Sequence, residues 1–182
     1  MNDLSANTQA EQSLEQNVIQ EQIFNYQLEC LKTEMDLVDR EITRYETITQ
    51  NVKNFAIVSW AASITVFVSQ QDLRTYVMIT AILPILFWIL DAIWLSQHRG
   101  ASLRLEKISE FINSDRLVTS FKQKKIVDFF LLDVRGKQYR GTTEYDRYTS
   151  FRKIFWYREI RLLYGSLMIL SLLLGLGVLL LS

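Results

Sequence analysis

Asp91 is the only acid within a long apolar run of this 182-residue chain, spanning roughly residues 76 to 95. An ionisable group at membrane depth is costly to bury, so it marks either a wet path or a local route to the surface. At helical spacing Asp91 shares a face with Thr80, Pro84, Phe87 and His98. These could form the wall of a pore if several copies assemble, and a ring of carboxylates at its mouth would favour cations. Asp91 is also four residues inside Leu95, about 6 Å by helical rise. From there it could reach headgroup water or Arg99 and do nothing more. A second group is basic and aromatic: Lys122, Lys124, Lys125, Arg135, Lys137, Tyr139 and Arg140. Cations interleaved with a stacking ring suit a nucleotide or single-stranded nucleic acid. The same charge also suits a loop held inside a membrane against anionic lipid and an acidic partner helix. No enzyme signature accompanies either group. There is one histidine, one cysteine (Cys30) and no glycine-rich phosphate loop, so neither catalysis, a metal nor a cofactor is expected.

The elements that must carry these residues are legible from hydropathy. Hydrophobic residues make up 49% of the chain and fall in blocks, near residues 54–69, 76–95 and 162–181. Each block is about the length a helix needs to cross a bilayer. The spacing therefore predicts an all-α integral membrane protein with three transmembrane helices and long cytoplasmic helical extensions. Four segments follow: an amino-terminal helix (1–53), a two-span hairpin (54–96), a basic segment (97–161) and a third span (162–182). Residues 1–53 hold ten acids and four bases, whereas residues 97–163 hold eight acids and fifteen bases. Bases left of span one, right of span two and left of span three all place those segments in the cytoplasm. Asp72 and Ser182 are expected outside, and Lys124 inside. The opening MNDLSANTQAEQSLEQ has neither a basic leader nor an apolar core, so no cleaved signal is expected.

Apolar residues at steps of four and three, Phe24, Leu28, Leu31, Met35, Val38, Ile42, Tyr45, Thr49 and Val52, form a heptad seam. It must bury itself against the basic segment or against a neighbouring copy. The second helix should continue past Leu95 to about Ile112, with a break at Asn113-Ser114-Asp115 and a short helix over 116–125. IVDFFLL at 126–132 suits a strand or a buried connection. Thr142 or Thr143 should cap one last helix running through the third span. Pro84 should bend the second span.

A long helix leading into a tight two-span hairpin, followed by LDAIWLSQHRGASLRLEKI, resembles the SLATT-type small membrane effectors of bacterial antiviral defence systems. The resemblance covers residues 27–113 and is one of layout; the third span lies outside the two-span pattern. It implies an oligomer that perforates or depolarises the bacterial inner membrane when a nucleotide-sensing partner signals infection. The expected function is thus an oligomeric effector or channel, gated on its cytoplasmic part by a nucleotide, nucleic acid or soluble protein. A membrane-anchored scaffold that recruits a soluble partner and conducts nothing is the alternative.

Overall fold

The computed structural model describes the backbone of residues 2–181 and the side chains of residues 14–180. Ser182, expected outside the membrane, falls beyond the described residues. Among the described residues the chain is helical throughout, with no strand.

The first helix, α1, runs unbroken over Asn2–Ser69, as a sequence free of Gly and Pro allows. A tight turn at Gln70 leads into a 3₁₀ helix over Gln71–Ala81, and α2 follows over Ile82–Ile112. Pro84, expected to bend a continuous span, falls in the first turn of α2, directly after the 3₁₀ helix. Proline has no N–H to donate, and the winding changes from three to 3.6 residues per turn just before it. The short α3 covers Asp115–Gln123. The chain then crosses residues 124–142 without regular structure apart from a turn of 3₁₀ at Lys137–Tyr139. The segment at 126–132 is therefore a connection and not a strand.

The final helix differs from expectation. Thr142 does cap it, accepting from the Tyr145 N–H at 3.2 Å, but the helix comes in three pieces. These are α4 over Thr143–Thr149, α5 over Phe151–Phe155 and α6 over Arg158–Leu181. Two side chains of α2 bond to carbonyls at the breaks. Ser96 Oγ donates to the Thr149 carbonyl at 2.8 Å and Trp88 Nε1 donates to the Phe155 carbonyl at 2.9 Å. Each takes a carbonyl that a continuous helix would have kept for its own ladder.

Helices α1 and α2 lie antiparallel and share two cores. Towards the charged end, Phe24, Leu31 and Val38 of α1 pack on Ile108 and Phe111 of α2, with Ile126 closing the cluster. Towards the apolar end, Ala56 of α1 meets Trp88 and Ala92 of α2, together with Ile154, Ile160 and Tyr164. Trp60 Nε1 donates to Ser171 Oγ at 2.8 Å, which ties α1 to α6. A Cβ at Gly175 would run into Met78, so α6 approaches the 3₁₀ helix as closely as it does only because that residue is glycine.

Three helical stretches are long and apolar enough to cross a membrane. In their apolar windows only 11%, 39% and 22% of residues are buried inside the chain. Most of that apolar surface therefore faces outward, where lipid or further protein must cover it.

Candidate functional site

The centre of the charged end is a residue pair that apolar periodicity did not reveal. Glu34 and Arg104 are both fully buried, and their side chains form an ion pair at 2.7 Å. Arg104 Nε also donates to Glu34 Oε1 at 2.8 Å. Burying two charges costs several kcal/mol per ion unless every remaining donor and acceptor is met. Here they are met by the 124–142 connection. The N–H groups of Leu132 and Asp133 donate to the Glu34 carboxylate at 2.7 and 2.9 Å. Arg104 donates to the Phe130 carbonyl and to the Tyr139 hydroxyl at 2.9 Å. Its guanidinium carbon lies 4.5 Å from the centre of the Phe129 ring. One carboxylate from α1 and one guanidinium from α2 thus clasp the connection onto both helices.

Two further features fix that connection. Asp133 accepts from the N–H groups of Lys137 and Gln138, both at 2.9 Å, which closes the turn. Gly136 adopts a left-handed φ of 61°, and a Cβ there would come 3.1 Å from the Gly100 carbonyl of α2. Around the clasp, Lys107 is bonded to Glu110 at 3.1 Å and to Glu144 at 3.0 Å. Burial pulls the Lys107 ammonium down in pKa, but the two carboxylates outweigh it and hold the group above its ordinary value.

The basic residues singled out in the sequence do not form one site. Lys124 pairs with Glu21 at 2.9 Å and, with Lys125, borders a cavity of about 380 Å³ along α1. Lys122 is exposed on α3. Tyr139 borders a separate cavity of about 420 Å³ with Lys107, Arg116 and Phe130, and its hydroxyl is engaged by Arg104. Arg135, Lys137 and Arg140 are exposed around the Gly136 turn. The attraction expected between the acidic helix and the basic segment is present in Lys124–Glu21 and in the buried clasp.

At the apolar end Asp91 is 1% exposed and faces the inside of this chain's own bundle. Its Oδ2 accepts from the Tyr164 hydroxyl of α6 at 3.3 Å, while Oδ1 is buried without a hydrogen-bond partner. Lys53 of α1 is the cation whose charge reaches it. Thr80 and Pro84 are buried, and Thr80 Oγ1 donates to the Val77 carbonyl at 2.7 Å. His98 is half-buried with Nε2 3.5 Å from Glu46, without hydrogen-bond geometry. Of the five residues expected to share a wall, Asp91, Thr80, Pro84 and His98 thus lie along the inward face of α2 and the 3₁₀ helix before it, with Asp91 directed at α6, and Phe87 packs partly buried against the core around Trp88 and Tyr164. No family model matches the chain, and it has no match among curated proteins or solved structures.

Proposed function

We propose that the chain is an oligomeric effector of the bacterial inner membrane whose three apolar helices span the bilayer. A nucleotide, nucleic acid or protein received on the cytoplasmic side changes how those spans pack, and ions then pass. The observation that supports this reading is the sharing of α1 and α2 between two cores. The clasp of Glu34 and Arg104 fixes the two helices at the charged end, and the same helices run without a break into the apolar end. A change in the connection at 124–142 must alter the α1–α2 pairing, and rigid helices carry that change into the spans. The layout shared with SLATT-type effectors supports a role in antiviral defence, with the amino end and the clasp in the cytoplasm as the flanking bases dictate.

The scaffold reading keeps the spans as an anchor and the exposed residues of α1 as the recruiting face. Ion-flux measurements on purified protein in liposomes, with and without mono-, di- and cyclic nucleotides, separate the two. The effector reading expects flux that depends on protein and is altered by an added ligand. Tight liposomes under every condition, with a soluble protein retained on α1, favour the scaffold.

A further inference from the structure

The two breaks in the final helix create a second basic site, distinct from the run at 122–140. Beside the bonds that Ser96 and Trp88 make to the backbone, α4, α5 and the residues at 156–157 face Arg99 of α2 across a cavity of about 1090 Å³. Arg99 of α2, Arg147 of α4, and Arg152 and Lys153 of α5 line it, with Trp156 and Tyr157 completing the wall. The Tyr157 ring lies 4.4 Å from the guanidinium carbon of Arg99 and sets its direction. No acid lines the cavity, and among the described residues none of its four cations has a carboxylate within ion-pair distance. Lys107 and Lys124, by contrast, are both paired. Four like charges around one space repel one another unless an anion joins them.

The position of the cavity indicates which anion. Arg99 is four residues beyond Leu95, about 6 Å by helical rise, while Trp156 reaches back to Trp88, so the cavity straddles the apolar ends of α2 and α6. That is headgroup depth. Trp156, 63% exposed, and Phe151, 42% exposed, flank it as interfacial aromatic residues do. Its volume is at the upper end of ordinary ligand pockets, about 300–1,000 Å³, and far exceeds one phosphate. Arginine forks suit phosphate oxygens, and a basic pocket between helices on the cytoplasmic face suits a lipid headgroup.

We propose that the cavity lined by Arg99, Arg147, Arg152 and Lys153 binds the headgroup of an anionic glycerophospholipid that carries two phosphates. The proposal rests on the reading of the apolar helices as membrane spans but not on conduction. It is tested on the full chain in mixed micelles by native mass spectrometry and thermal unfolding. The lipids compared are diphosphatidylglycerol, phosphatidylglycerol at matched phosphate concentration and phosphatidylcholine, with inorganic pyrophosphate as a soluble competitor. The wild type should retain diphosphatidylglycerol and melt higher with it than with either other lipid. The Arg152→Gln/Lys153→Gln variant, altered only at exposed side chains, should bind it about tenfold more weakly or worse, the scale of a lost charged hydrogen bond. A Lys122→Gln/Lys125→Gln control should bind as wild type does. Equal stabilisation by the two anionic lipids would reduce the site to surface charge and overturn the proposal. So would displacement by pyrophosphate, or an unchanged lipid preference in the Arg152/Lys153 variant. A chain that binds the lipid but passes no ions refutes the proposed function alone. Failure to float with neutral vesicles refutes the membrane reading beneath both.

Discussion

Arg104 is the residue on which the charged end depends, because it is buried, ionised and bonded to three separate parts of the chain. Arg104→Leu leaves Glu34 charged and unpaired in the core, and truncating one member of such a pair costs about 3–5 kcal/mol. An isolated buried pair is often rescued when both members become apolar. Here the rescue should fail, since Glu34→Leu/Arg104→Leu also strips acceptors from the Leu132 and Asp133 N–H groups. Each orphaned group costs about 1–3 kcal/mol. Denaturant unfolding of the single and double variants checks this, and a double variant as stable as wild type would show the connection to be held by other contacts. Gly136→Ala tests the same joint from the backbone. It should cost about 1–3 kcal/mol, because the residue must keep a positive φ with its Cβ against the Gly100 carbonyl.

At the scale of elements, α1 has an inner and an outer stripe. The positions Phe24, Leu31, Val38, Tyr45 and Val52 are buried at seven-residue intervals, while Met35 and Leu37 are 37% and 39% exposed. Val38→Asp should therefore collapse the cytoplasmic core, seen as rapid proteolysis of residues 113–142. Met35→Asp/Leu37→Asp should leave the melting temperature nearly unchanged and lower the oligomeric mass in detergent; an unchanged mass would remove α1 from assembly. The positions at seven-residue steps were readable in the sequence, but Met35, expected in the same buried seam, lies outside it, and Glu34 beside it is buried in its place. Glu34 was not readable, since an acid between Leu31 and Met35 on an acidic helix looks like part of a solvated face. The only sign was its partner, Arg104, set between Leu103 and Leu105 in SLRLEKI. The breaks at Ser150 and Trp156 were equally hidden. Neither position is Gly or Pro, and the side chains of α2 that bond at both breaks are more than fifty residues away.

For the whole molecule, the three apolar stretches were legible from hydropathy alone, and so was the grouping of the bases. The pairing of those stretches into two cores on shared helices was not, because it depends on tertiary contacts. If the helices span as proposed, a cysteine placed at Asp72 should react with an impermeant thiol reagent applied outside intact cells. One placed at Lys124 should react only after lysis, and the reverse pattern would invert the molecule. As proposed, the clasp restrains spans able to pass ions. Glu34→Gln keeps the shape of the side chain and removes the charge that holds Arg104, so it should shift the population towards the conducting arrangement without added ligand. Single-channel recording in planar bilayers, comparing wild type with Glu34→Gln at equal protein density, tests this most directly. Rare openings in the wild type and frequent ones in the variant are expected, whereas an absence of conductance in both would refute the restraint.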